Sequence, residues 1–180
     1  MAPSVRGWIR VLCLAALLPL GACGFHPLYG SAPDGTAGPT ATSLSQISVA
    51  LIPERTGQLL RQALQERFER NGVPVAHRYD LTVSFGISGD AIALQPDTSN
   101  ARVRFVGTAV YQLRAQDATR TLLTSGTARS VDGMNVFESQ LFAADMETEV
   151  VERRIAQAVA DDITAQLAVY FDRQAALASR

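Results

Sequence analysis

The sequence predicts an α+β fold: a two-layer sandwich in which a four-stranded mixed sheet carries two helices on one face, in the order β-α-β-β-β-α. Three observations lead there. Tyr79 to Ser88 and Arg102 to Arg114 alternate apolar and polar residues with a period of two, as half-buried strands do. Glu54 to Arg70 and Leu141 to Arg173 repeat apolar residues every three or four positions, as helices packed on one side do. A strand-helix-strand unit crosses over right-handed, which brings the first helix to the sheet face that the last helix can also cover. With 47% hydrophobic and 18% charged residues in 180, the chain has apolar material for one core and needs no staple.

The N-terminus reads as an export signal. Arg6 and Arg10 are followed by the apolar run Val11-Leu-Cys-Leu-Ala-Ala-Leu-Leu-Pro-Leu20. That run is about half the ~20 residues a bilayer-crossing helix needs, and Pro19 and Gly21 interrupt it. Residues 1–22 are therefore expected to be a lipoprotein signal peptide. Leu20-Gly-Ala-Cys23 resembles the lipobox of bacterial lipoproteins, in which a small residue precedes a cysteine that is lipidated and becomes the new N-terminus. Gly21 stands where Ala or Ser is commoner, and keeps the site small. Cys13 falls in the leader, so the exported chain keeps one cysteine, Cys23, and can form no internal disulfide. The alternative is ordinary cleavage after Ala22, which would leave a free thiol. Several acyl chains anchor stably where one is marginal. Gly24 rather than Asp after the cysteine implies, for a lipoprotein, release to the outer membrane, facing the periplasm.

Residues 23–45 read as a lipidated anchor and flexible tether, because Ser31 to Ser45 is Ser, Ala, Pro, Gly and Thr with one charge. Residues 46–180 are the folded domain. Ile47, Val49 and Leu51 alternate with Ser48 and Ala50 in a short first strand that ends at Pro53. In the first helix Leu60, Leu64 and Phe68 recur at four-residue spacing, with Asn71-Gly72 as the stop. The second strand places Tyr79, Leu81, Val83, Phe85 and Ile87 on one face; Ala91 to Leu94 can extend it before a turn at Pro96 to Asn100. The third strand sets Val103, Phe105, Gly107, Ala109, Tyr111 and Leu113 against Arg102, Arg104, Val106, Thr108, Val110, Gln112 and Arg114. Leu122 to Arg129 is a less regular fourth strand, expected antiparallel to the third. A loop around Asp132-Gly-Met-Asn135 leads to the long helix, with a stripe of Val151, Ile155, Val159, Ile163, Leu167 and Tyr170. Its acids Asp145, Glu147, Glu149 and Glu152 lie early, suiting the positive end of the helix dipole.

Little here performs chemistry. All 16 basic residues are arginines, two of them in the leader, against 17 acids in the remainder, so there is no basic excess for nucleic acid. The two histidines, His26 and His77, lie in the anchor and before the second strand, with no partners for a triad. No metal-ligand spacing or phosphate-cradling glycine loop occurs, so neither an enzyme nor a metal or cofactor site is expected. Asp161-Asp162 points two ways on a helix and reads as a solvated face. Arg102, Arg104 and Arg114 share the face opposite the apolar one, where planar guanidinium groups could hold an anionic lipid headgroup. Edge protection or pairing with nearby acids is the alternative.

Cys23-Gly-Phe-His-Pro-Leu-Tyr-Gly30, at the lipidation site, and Val49-Ala-Leu-Ile-Pro-Glu-Arg-Thr-Gly-Gln-Leu-Leu-Arg-Gln-Ala-Leu64 resemble the lipopolysaccharide-assembly lipoprotein family LptE in its alphaproteobacterial form. The order of elements agrees over the whole exported chain. The resemblance implies a non-enzymatic outer-membrane lipoprotein that sits as a plug in the large β-barrel LptD, assists its assembly, and helps deliver lipopolysaccharide to the outer leaflet. It implies basic residues that bind lipopolysaccharide without singling any out. The competing reading is a lipid- or ligand-binding accessory lipoprotein of an envelope transport system.

Overall fold

A computed structural model describes residues 38–69, 76–94, 100–137 and 141–178. The leader, Cys23 and its lipidation motif, His26, the helix stop at Asn71-Gly72 and most of the turn after Pro96 lie outside these residues. The elements in order are α1 (Pro39–Ser45), β1 (Ile47–Val49), α2 (Glu54–Phe68), β2 (Tyr79–Leu94), β3 (Asn100–Ala115), β4 (Leu122–Phe137) and α3 (Leu141–Ala178).

The strands lie side by side in sequence order, β1-β2-β3-β4. β1 runs parallel to β2, with Ile47 opposite Tyr79, because α2 carries the chain back between them. β2, β3 and β4 form an antiparallel meander. This is the expected α+β sandwich with a four-stranded mixed sheet, and a third short helix is added to it.

Alternation decides which side of each strand is buried. Leu81 and Val83 of β2, Ala109, Tyr111 and Leu113 of β3, and Ala128 and Met134 of β4 all turn to the helices. From the helical side come Leu60, Ala63, Leu64 and Phe68 of α2 and Val151, Ile155, Val159, Ile163 and Leu167 of α3. The α3 stripe finishes on Phe171, with Tyr170 only half-buried. A stripe of four-residue steps drifts around a 3.6-residue helix, and α3 is also flanked by α1 and α2, so Ala156, Ala160 and Ala168 are buried too. Phe171 meets the Tyr79 ring at 5.1 Å, which fastens the C-terminal end of α3 to the start of β2. α2 and α3 run parallel: Arg55 pairs with Glu149 and Arg67 with Asp161, at equal sequence separation.

The structure departs from the sequence reading in three places. Pro39–Ser45, within the stretch whose composition suggests a tether, is helical. Pro39 opens it where its missing N–H costs nothing, and Thr40 and Leu44 are buried as the helix packs on α3. β4 does not stop at Arg129: Asp132, Gly133, Met134 and Asn135 are strand residues opposite Phe105, Arg104, Val103 and Arg102. Their turn-forming composition is overridden by continuous pairing with β3, and Asp132 is accommodated on the helix side by Arg154, Nε to Oδ2 2.9 Å. Finally, α3 begins at Leu141 with no acid in its first turn, beyond which the helix dipole has little effect. Glu149 instead binds Arg55 and Arg153.

Candidate interaction surface

The face of the sheet away from the helices is open. Reading across β2, β3 and β4, its rows are Thr82, Gln112 and Ser125; Ser84, Val110 and Thr127; Gly86, Thr108 and Arg129; Ser88, Val106 and Val131; and Asp90, Arg104 and Gly133. Most of these side chains are short or β-branched, which gives a level, two-sided surface: hydroxyls from Ser and Thr around the apolar groups of Val106, Val110 and Val131. Val110 and Val131 are each 51% exposed. An antiparallel sheet tolerates such a solvated face, and the valines stand in two rows of it with Gly86, Thr108 and Arg129 between them, apolar groups of the kind that can mark contact with another molecule.

The three arginines singled out from the sequence all lie on this face, but not together. Arg102 and Arg104 are neighbours at the end nearest the β2–β3 connection, both exposed. Arg104 faces Asp90 across the strands at 3.9 Å, a loose and solvated pair worth at most ~1 kcal/mol. Arg114 is ten residues from Arg104, about 33 Å along a strand at ~3.3 Å per residue. It is held at the opposite end, donating from Nη1 to the Arg120 carbonyl (3.2 Å) and from Nη2 to Gln112 Oε1 (3.0 Å). Asp80, directly across from Arg114, binds Arg120 and Gln116. A single headgroup cannot span both ends. Arg129 of β4 lies on the same face, in register with Thr108 and so midway between Arg102 and Arg114. The register of β4 on β3 would have revealed it.

On the helix side, a cleft of about 610 Å³ opens between the C-terminal turns of α3 and the start of β4, lined by Tyr111, Ser125, Gln166, Val169, Arg173 and Leu177 among others. Gly126 leaves room for the Tyr111–Gln166 contact at its wall: a Cβ there would lie 2.6 and 2.8 Å from the Tyr111 hydroxyl and Gln166 Oε1. The Tyr111 hydroxyl donates to Gln166 Oε1 at 2.8 Å. Burial, and then the negative charge of Asp162, push the Tyr111 pKa up, so the phenol stays protonated as a donor. His77 is exposed, and among the described residues no group of His, Cys, Asp and Glu could hold a metal ion. Among the described residues, no helix is long and apolar enough to cross a membrane.

These features define a small α+β sandwich with one sheet face covered by helices and the other open. The chain belongs to the LptE family of lipopolysaccharide-assembly proteins, whose model matches residues 44–167. It is thus a lipopolysaccharide-assembly lipoprotein, from a family that is not enzymatic. The fold is shared with solved structures. A protein of Caulobacter crescentus CB15 described as a lipoprotein is 21% identical, with a TM-score of 0.57 over 76% of this chain and 98% of that one. A minor lipoprotein of Acinetobacter baumannii is 17% identical, with a TM-score of 0.55 over 68% of this chain and 90% of that one. Among proteins of curated function, none matches the sequence.

Proposed function

We propose that this protein, lipidated on Cys23 and anchored in the outer membrane on its periplasmic side, is the plug and assembly partner of an LptD-type β-barrel, and that it assists lipopolysaccharide on its way to the outer leaflet. The observation that carries this reading is the open sheet face. It is level, rich in hydroxyls and centred on Val106, Val110 and Val131, a surface suited to lie against the wall of an enclosing barrel. Arg102 and Arg104, at one end of that face, are the groups proposed to meet the phosphates of lipopolysaccharide; Arg114, bound to the carbonyl of Arg120, would act separately at the other end.

Affinity purification of the tagged, lipidated protein from outer membranes should recover an LptD-type barrel in equimolar amount. Its absence would sink the reading. A Cys23→Ser precursor should lose its membrane attachment; normal retention would contradict lipidation. Replacing Arg102, Arg104 and Arg114 by Gln should weaken lipopolysaccharide binding with the fold intact, and unchanged binding would remove the arginines from the proposal. The cleft at Tyr111 and Arg173 favours the second reading, a ligand-binding accessory lipoprotein. That reading requires a stable monomer with no barrel attached.

A further inference from the structure

The sheet ends on two unlike edges: β1 is three residues long and β4 sixteen. The Ala50 N–H donates to the Leu81 carbonyl at 3.0 Å, so the backbone groups of Leu81 face β1 and those of Leu113, its partner, face β4. Alternation then turns the backbone of Gly126, Ala128, Ser130 and Asp132 inward to β3. The backbone groups of Ser125, Thr127, Arg129, Val131 and Gly133 point off the outer edge.

Two of these outward groups are occupied from within the chain. Gln166 Nε2 donates to the Thr127 carbonyl at 3.1 Å, and the Gly133 N–H donates to Asp132 Oδ1 at 2.7 Å while Arg154 holds the other carboxylate oxygen. Between them lie Arg129 and Val131, whose outward N–H and C=O groups have no partner among the described residues. The edge is closed at two points and open over the short stretch between them. A bare edge of this kind is a template for another strand.

We propose that Arg129–Val131 accept a short extended segment of another protein as a fifth strand, and that this segment carries a carboxylate toward Arg129. On the open face Arg129 is flanked by the uncharged Thr127 and Val131, whereas on the helix side Arg154 is already paired with Asp132, so the charge bordering the stretch is that of Arg129. A second copy of this chain is a poor occupant. Two-fold pairing centred on Ser130 would put the two Arg129 side chains on one face, diagonal neighbours about 7–8 Å apart. The donor of the segment is the barrel proposed above, so this inference rests on that reading.

Val131→Pro tests it directly, because the ring removes an outward N–H and obstructs the edge without taking a bond from the ladder to β3. Arg129→Glu tests the charge. Purified from outer membranes, both tagged variants should recover at least tenfold less barrel than the wild type. In the wild-type complex, amide exchange at Arg129 and Val131 should slow at least tenfold relative to the free protein, a measurement that needs no variant to fold. Full barrel recovery by both variants, or unchanged exchange at these two amides in a wild-type complex that does contain barrel, overturns the fifth strand and leaves the plug reading standing. Wild-type protein that recovers no barrel overturns both. A wild-type dimer that Val131→Pro dissociates would assign the edge to a second copy and also overturn the proposal.

Discussion

Along β3, Gly107, Ala109, Tyr111 and Leu113 are buried against the helices, whereas Thr108, Val110 and Gln112, each one step away, are exposed. The same strand thus contributes to two surfaces under different constraints. On the covered side the limit is volume, since every side chain must fit under α2 or α3. On the open side the limit is chemistry, since what matters is what a partner would meet. A substitution that is costly on one side should be nearly silent on the other unless the partner is present.

The largest separation is expected between Leu64→Ala and Val110→Ala. Leu64 has no exposed surface, and its truncation leaves a cavity under the sheet at a cost of about 2–5 kcal/mol. Val110→Ala, on the solvated face, should stay within ~0.5 kcal/mol. Urea unfolding of the two variants measures both, and equal losses would mean that the open face is a packed one. Glycines sharpen the contrast at intermediate size. A Cβ on Gly107 would run into the Ile155 side chain, so Gly107→Ala should cost about 1–3 kcal/mol as α3 is forced off the sheet. Gly86 is the open-face counterpart, two strands from Arg129, with nothing near its missing Cβ; Gly86→Ala should be neutral or stabilising.

Among the buried positions the smallest expected loss is that of Tyr111→Phe, which removes one hydrogen bond to Gln166 worth about 1 kcal/mol. It also has a pH signature. Burial, then Asp162, raise the Tyr111 pKa above its ordinary 10.0, so the unfolded chain ionises first. The stabilisation from keeping the phenol neutral is complete below pH 10 and is lost as pH rises through the raised folded value. Tyr111→Phe should flatten that alkaline loss in denaturation followed from pH 8 to 11. Part of the loss should remain through Tyr170, whose pKa burial and then Tyr79 also raise. An unchanged alkaline slope would show that Tyr111 is wet.

How much of this was legible depended on how far each local pattern agreed with its surroundings. β2 and β3 alternate over ten residues or more, and the helical stripes through Leu60, Leu64 and Phe68 and through Val151 to Leu167 are buried as spaced. The second half of β4 was hidden because Asp132-Gly133 carries the chemistry of a turn. Only the pairing with β3 and the ion pair to Arg154 make it strand, and neither is visible locally. α1 was hidden for the same reason, since Leu44 and Thr40 gain their burial from α3, about a hundred residues away. For the arginines, alternation gave the correct face, but Arg114 was grouped with Arg102 and Arg104 although ten residues of strand separate it from Arg104. What sequence could not supply was the register that adds Arg129, or the capping of Thr127 and Gly133 that isolates a bare length of edge.

The parallel contact of α2 with α3 also governs how the domain comes to exist. Arg67 and Asp161 lie 94 positions apart in sequence and 2.6 Å apart in space, with three strands made in between. A chain delivered N-terminus first would form α2 and the β2–β3–β4 meander before the helix that roofs both had emerged. Closing so long a loop is slow, because its entropy is lost before the core contacts are gained. During that interval Leu60, Leu64, Leu81 and Leu113 face water or whatever escorts the chain. The time needed to deliver the final helix, more than the strength of any contact, then sets how long this lipoprotein is open to misassembly.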